Sequence, residues 1–341
     1  MILPSRPFRV EFEVIGSCNL KCKYCLAMPF RGEYPPLDRL LELFQRTQRE
    51  VSPFEVLITG GEPFLRSDIL DLITNAIGCF RVVGVNTNGT LFRSFREDEL
   101  YRLKLLCRGE PVIQVSIDSL EAASNNSVRG ATERVVEGME LLNEWGIPFN
   151  VGVVVSQANL RTLRSTVEQL ADAFGCVRRI NFMPLKPSQA LGLNYRDLQV
   201  PRELFERVTA EASSGPIVRN RKNLYVSSGL DNSSETTLLD DYRFPTCLAG
   251  LTRIEVLPNG DVTPCGMIRS IVIGNVYRNS WKEITEKHRS RFLALSNHVM
   301  TQDQCAAINL QTIASPSVAP YATAEGMDPA GQIEGQPRAP E

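Results

Sequence analysis

Arg9–Cys25 reads RVEFEVIGSCNLKCKYC, an alternating run that ends in three cysteines spaced CxxxCxxC. Alternation over residues 9–14 predicts a half-buried β-strand. The apolar spacing of LDRLLELFQRTQREV over 37–51 predicts an amphipathic helix downstream. Cys18, Cys22 and Cys25 therefore fall in a strand-to-helix loop. In parallel α/β architectures chemistry gathers at that end of the strands.

The same rhythm continues. Strands are expected at 9–14, 54–59, 81–86, 112–117, 149–155 and 178–183, with helical runs at 131–145 and 160–174 among the intervening segments. Strand–helix alternation implies a parallel sheet with right-handed crossovers. Six units are too few for an eight-unit barrel, so an open or partial barrel is expected. Residues 186–246 read as a connector, with one helix near 201–213 and the polar run SSGLDNSSETT. Short strands resume in TRIEVLPNGDVTP, where Asn-Gly suits a hairpin turn. A last helix is expected over 280–295. The Pro- and Ala-rich residues 312–341 read as a disordered tail.

Composition narrows the function. The 341 residues carry a net charge of -2, which gives no general drive toward nucleic acid or an anionic membrane. No apolar run approaches the roughly 20 residues of a membrane span. MILPSRPFRVEFEV lacks the apolar core and cleavage site of a secretory signal, so a cytoplasmic location is expected. Nine cysteines, an odd number, exclude a complete disulfide framework and direct attention to metal or redox chemistry. With only two histidines, a His-rich metal site or a Ser-His-Asp triad is a poor fit.

Three thiolates at this spacing can hold three corners of a [4Fe–4S] cluster. The fourth iron then keeps an open position for a small molecule, by the logic that separates catalytic from structural zinc. A zinc site with a remote fourth ligand uses similar spacings, and the triplet alone leaves it open. Ile58–Pro63 reads ITGGEP at the end of the second strand. Gly60 and Gly61 would let backbone approach a ligand closely, with Glu62 beside an ammonium group.

Together these motifs resemble the radical S-adenosylmethionine (radical SAM) superfamily, from the cluster loop through residue 183. The resemblance includes Tyr24 before the last cysteine and GGEP as the segment that meets the SAM amino group. It implies a partial (β/α)6 barrel over residues 1–185, with further SAM contacts from Asn88 in NTNG, Ser116 and Asp118 in SIDS, and Arg129. Ser116 and Asp118 would meet the ribose and Arg129 the SAM carboxylate. Asn159 follows the fifth strand, as is common in the family. The chemistry implied is reductive cleavage of SAM to a 5′-deoxyadenosyl radical that abstracts hydrogen from substrate carbon, the cofactors carrying the reaction and the protein positioning it.

Cys247, Gly260 and Cys265, followed by IGNVYRNSWKEI, resemble the start of the SPASM and twitch extensions, which hold auxiliary [4Fe–4S] clusters. Over 247–311 a small hairpin-and-helix module is implied. Here the pattern departs: only Cys305 follows, with no later CxxC, so the auxiliary site would have three cysteines and an unassigned fourth ligand. Cys79, Cys107 and Cys176 read as structural thiols. Relatives of this kind commonly modify ribosomally made peptides, and others oxidise or mature small molecules. Expected partners are such a substrate and a one-electron reductant such as flavodoxin or ferredoxin. The cysteine loop begins at residue 18, so a leader peptide, where one exists, is expected to need a separate binding protein or another surface. A non-catalytic iron–sulfur electron carrier is the reading from another class, disfavoured by GGEP and the open three-cysteine site.

Overall fold

The computed structural model describes residues 7, 9–25, 34–108, 110–185, 196–221, 223–228, 253–266, 269 and 271–286. Ten strands form one sheet: β1 Arg9–Glu13, β2 Glu55–Thr59, β3 Val82–Thr87, β4 Ile113–Ser116, β5 Phe149–Val155, β6 Val177–Pro184, β7 Tyr225–Ser228, β8 Arg253–Val256, β9 Asp261–Thr263 and β10 Gly274–Asn275. Their order is β10-β9-β8-β1-β2-β3-β4-β5-β6-β7, with β1 to β7 all parallel. The main helices between the parallel strands are α1 Leu37–Glu50, α2 Ile69–Cys79, α3 Glu97–Leu106, α4 Ala122–Asn126, α5 Thr132–Glu144, α6 Leu163–Ala173, α7 Arg202–Ser213 and α8 Pro216–Asn220. The six expected strands and three singled-out helices are present, and the α/β partial barrel is the architecture found.

Alternation builds the core. In β1, Val10 and Phe12 turn toward the helices and are buried, while Arg9 and Glu11 turn to the other face and stay partly open. Helix α1 buries Leu40, Leu43, Phe44 and Thr47, one stripe at helical spacing. Phe44 meets Phe12 with ring centroids 5.0 Å apart. The helix-side face is therefore sealed. The opposite face carries Leu57, Asn86, Gln114, Ser116, Asn150, Asn181 and Ser227, all partly accessible among the described residues.

The segment read as a connector does more than connect. Helix α7 packs on α6, and β7 pairs in parallel with β6, Asn181 facing Ser227, so a seventh parallel strand extends the sheet. The four-residue strand is too short for alternation to announce it. Residues 186–195 and 229–246 of that segment, Cys247, Cys305 and the 312–341 tail lie outside the described residues.

The expected hairpin is present. β8 and β9 are antiparallel, joined through Pro258, Asn259 and Gly260, with Gly260 at φ +87°. A Cβ there would lie 2.2 Å from the Tyr277 ring, so both conformation and space demand glycine. β8 also pairs in parallel with β1, which places the hairpin on the same sheet. Residues 281–286 begin the last helix, and the remainder of the expected 280–295 run lies outside the described residues. Trp281 anchors it on α1: its indole N–H donates to Thr47 Oγ1 at 3.0 Å and its backbone N–H to Glu50 Oε2 at 3.0 Å. The Arg39 guanidinium lies 3.5 Å from the Tyr277 ring centre.

Trp281→Ala removes a fully buried indole and its hydrogen bond to Thr47. A loss of roughly 3–5 kcal/mol is expected for such a truncation, read by denaturant unfolding of the anaerobically purified protein. Leu105→Ala, at a half-exposed position on α3, is expected to cost under about 1 kcal/mol in the same measurement.

Candidate active site

The cysteine loop, residues 14–25, leaves β1 and is held by its neighbours' backbones. Val14 N–H donates to Thr59 O at 2.9 Å, Gly61 N–H to Ile15 O at 2.7 Å and Glu62 N–H to Ser17 O at 2.9 Å. Lys23 N–H donates to Val128 O at 2.8 Å, and the Cys22 thiol points at Arg129 O, 3.9 Å away. The loop is thus stitched to the ends of β2 and to the turn after α4.

These contacts explain why residues 60 and 61 are glycines. A Cβ on Gly60 would lie 2.3 Å from Ile15 O, and one on Gly61 only 1.9 Å from Ser17 O. The glycines are required because the GGEP backbone lies against the cysteine loop itself.

Glu62 is likewise bound from within. Its carboxylate accepts from Phe64 N–H at 3.1 Å, Thr87 Oγ1 at 2.7 Å and Asn88 N–H at 2.7 Å. It ties the end of β2 to the end of β3. Burial raises its pKa to about 7, even though all three hydrogen bonds pull the other way. Asn88 continues the chain: its amide donates to Asn19 Oδ1 at 2.8 Å and points at Cys18 Sγ, 3.9 Å away. Asn19 in turn donates to Thr90 Oγ1 at 2.8 Å. Asn19 and Thr87 were not singled out in the sequence, where nothing but position marks them.

A second knot forms at the end of β4. Asp118, fully buried, accepts from Val154 N–H at 2.9 Å and from the Tyr24 hydroxyl, and pairs with Arg129 Nε at 2.9 Å. Its backbone carbonyl accepts from Asn159 Nδ2 at 2.7 Å. Asp118 therefore faces inward and orients Tyr24 and Arg129. Ser116, by contrast, stays on the accessible face. Burial opposes the charge on Arg129, but Asp118, Tyr24 and Cys22 outweigh it and raise its pKa. Burial, then Asp118, push the Tyr24 phenol well above its usual range. Arg129 thus stays a cation beside the cysteine loop, its ring-facing plane 5.3 Å from the Tyr24 centroid.

The donor set fits an iron–sulfur cluster. Cys18, Cys22 and Cys25 are half-buried, carry no disulfide and feel one another's charge. Burial raises the Cys18 thiol to about 11 and raises Cys22 as well, so a cation is needed to stabilise their thiolates. Among the described residues no three ligand-type side chains converge on a single ion. Cubane ligands need not converge, since each takes a separate iron. Arg129 would offer an anion-binding charge next to that cluster.

Cys265 follows β9 and is buried at the open end of the hairpin. Cys247 and Cys305, its expected companions, lie outside the described residues. Nearby a buried network joins the two parts of the chain. Arg269 donates to Glu13 Oε2 at 3.1 Å, to Glu13 Oε1, and to Glu255 Oε1 at 3.2 Å. Burial holds the Glu255 carboxyl above its ordinary range against the pull of Arg269. Sequence reading missed this network because Glu13 and Arg269 are 256 positions apart.

Known proteins resemble this chain in sequence and fold. The Radical SAM superfamily model matches residues 12–170, and the iron–sulfur cluster-binding SPASM domain model matches 247–307. This chain belongs to the radical SAM superfamily. It is an enzyme of that family with a SPASM domain, and its cofactors are [4Fe–4S] clusters and SAM. Among its relatives is an "AdoMet-dependent heme synthase" of Nitratidesulfovibrio vulgaris, 27% identical over 301 residues, 82% of this chain and 78% of that one. A "PqqA peptide cyclase" of Granulibacter bethesdensis is 27% identical over 271 residues, 76% of this chain and 67% of that one. In structure it resembles Streptococcus suis SuiB bound to precursor peptide SuiA, with TM-score 0.64 and 17% identity over 83% of this chain and 65% of SuiB. No described helix is long and apolar enough to cross a membrane.

The Glu62 carboxyl gives a pH test. The unfolded chain releases this proton near the ordinary value of 4.5, whereas the folded protein keeps it to about 7. The folded state thus binds more protons between these values, and its stability falls as pH rises through that window. The stability difference between wild type and Glu62→Gln is expected to shift against wild type from pH 5 to 7, by on the order of 2 kcal/mol, and to level off above. Paired denaturation curves at each pH check the sign.

Proposed function

We propose that this radical SAM enzyme modifies a ribosomally made peptide or protein. Bound by Cys18, Cys22 and Cys25, a [4Fe–4S] cluster with SAM supplies reductive SAM cleavage and hydrogen abstraction from substrate carbon. The chain's residues do the positioning. Gly60 and Gly61 hold the cysteine loop against β2, and Glu62 and Asn88 brace it from β3. Arg129, fixed by Asp118, meets the SAM carboxylate, with Gly60–Glu62 and Ser116 around the remainder of SAM. Cys247, Cys265 and Cys305 hold the auxiliary cluster. The domains divide at 1–185, 186–246 and 247–311, and a flavodoxin- or ferredoxin-like reductant in the cytoplasm delivers the electron.

One observation carries the peptide reading: the open face of the sheet is rich in amides, and Arg179 is its one arginine without an ion pair among the described residues. Arg9, Arg253 and Arg269 on that side are each held by glutamates. Such a surface suits an uncharged, hydrogen-bonding substrate better than a polyanion. The likeness to a peptide cyclase supports the same choice. A second reading, maturation of a small molecule or cofactor precursor, is favoured by the heme synthase, whose length this chain covers more fully.

Incubating the anaerobically reconstituted enzyme with dithionite, SAM and peptides encoded beside its gene tests the first reading. Mass spectrometry is expected to show a peptide that loses two hydrogens on crosslinking or oxidation, or exchanges hydrogen with deuterated solvent on epimerisation. Cys18→Ala/Cys22→Ala/Cys25→Ala is expected to form no 5′-deoxyadenosine. Modification of a tetrapyrrole with every peptide untouched would favour the second reading.

A further inference from the structure

The accessible face of the sheet holds a continuous row of polar side chains just below the site. Ser227 Oγ on β7 donates to Asn181 Oδ1 on β6 at 2.6 Å. Asn181 Nδ2 donates to Gln114 Oε1 on β4 at 2.5 Å, and Gln114 Nε2 donates to Asn86 Oδ1 on β3 at 3.0 Å. The row crosses β5 without using a side chain from it, and the reason is Gly152. A Cβ at Gly152 would lie 3.1 Å from Gln114 Nε2 and 3.2 Å from Met183 Cε. Glycine leaves the gap through which Gln114 reaches Asn181.

The bonds all run in one direction. Each amide oxygen accepts from the next strand, and the chain ends on the Asn86 amide nitrogen, which has no acceptor among the described residues. Asn86 is one residue short of the end of β3, two before Asn88 in the brace of the cysteine loop. Gln114 and Asn181 each have one further N–H. All four residues are partly accessible, in contrast to the sealed helix-side face. A row meant only to satisfy itself would not leave its donors on the open side of the sheet. The spare N–H groups on these three amides call for acceptors, while Asn150 Oδ1 on β5 of the same face is a buried acceptor with no partner among the described residues. Neighbouring strands repeat at about 5 Å, so β4 and β6, which bear two of the donor amides with β5 between them, stand about 10 Å apart.

We propose that Asn86, Gln114 and Asn181, the last oriented by the Ser227 hydroxyl, form a docking floor for the carbonyl groups of a peptide backbone, with Asn86 the donor nearest the chemistry. The inference rests on the peptide reading and adds the residues that select its substrate class. Asn86→Asp tests it with little disturbance: the acceptor for Gln114 is kept, while both spare donors become an acceptor. Gln114→Leu is the second variant, breaking the row at its centre.

Fluorescein-labelled peptides encoded beside the gene would be titrated into SAM-loaded, cluster-reconstituted protein and read by anisotropy, with thermal melting to confirm folding. Asn86→Asp and Gln114→Leu are expected to weaken peptide binding roughly tenfold each, the scale of one or two lost hydrogen bonds. Wild-type affinity in whichever variants melt like the parent would overturn the proposal. So would a lack of peptide binding by a wild type that still forms 5′-deoxyadenosine. A peptide that binds through these residues and returns chemically unchanged would sink the modification reading and leave the docking floor standing.

Discussion

The site depends on one close approach: the backbone of Gly60–Glu62 lies directly on the backbone of Ile15–Ser17. Two N–H···O bonds of 2.7 and 2.9 Å join them, and there is no room for a Cβ at either glycine. Val14, Ile15 and Leu20 bury the start of the loop, while the stretch bearing the three thiols is half-exposed. Its shape is set by bonding to the neighbouring strand end, an extension of the parallel pairing of β1 and β2 beyond the sheet. A Cβ in this contact has to be relieved by moving one backbone off the other, and the thiols move with it.

Around that contact, buried charge is used as bracing. Glu62 and Asp118 each collect donors from elements distant in the chain: Glu62 from the β3 end, Asp118 from Tyr24, Arg129 and β5. Buried carboxylates are costly unless so satisfied. Their satisfaction makes the strand ends behave as one unit. Glu13, Arg269 and Glu255 repeat the device between the barrel and the hairpin, so the module bearing Cys265 is fixed relative to the cysteine loop.

Much of this was legible in the sequence. The strands over 9–14 and 54–59 announce themselves by alternation, and CxxxCxxC with GGEP names the chemistry. What sequence could not give is direction. The internal bonds of Asp118 were not legible, because a strand-end carboxylate reads the same whether it faces a ligand or its own neighbours. Gly60 and Gly61 read as sites of close backbone approach, and the approach to the protein's own loop was not legible because Ile15 and Ser17 are far from them in sequence. β7 was hidden by its four-residue length, and the Asn86–Ser227 row by its dependence on strands adjacent in space and far apart in sequence.

The most direct measurement of the central claim is electron paramagnetic resonance of dithionite-reduced Gly61→Ala, with and without SAM, beside wild type. If the close approach sets the thiols, the SAM-responsive cluster signal is lost or fails to shift with SAM, while the auxiliary signal persists. A wild-type, SAM-responsive signal in Gly61→Ala would contradict the account.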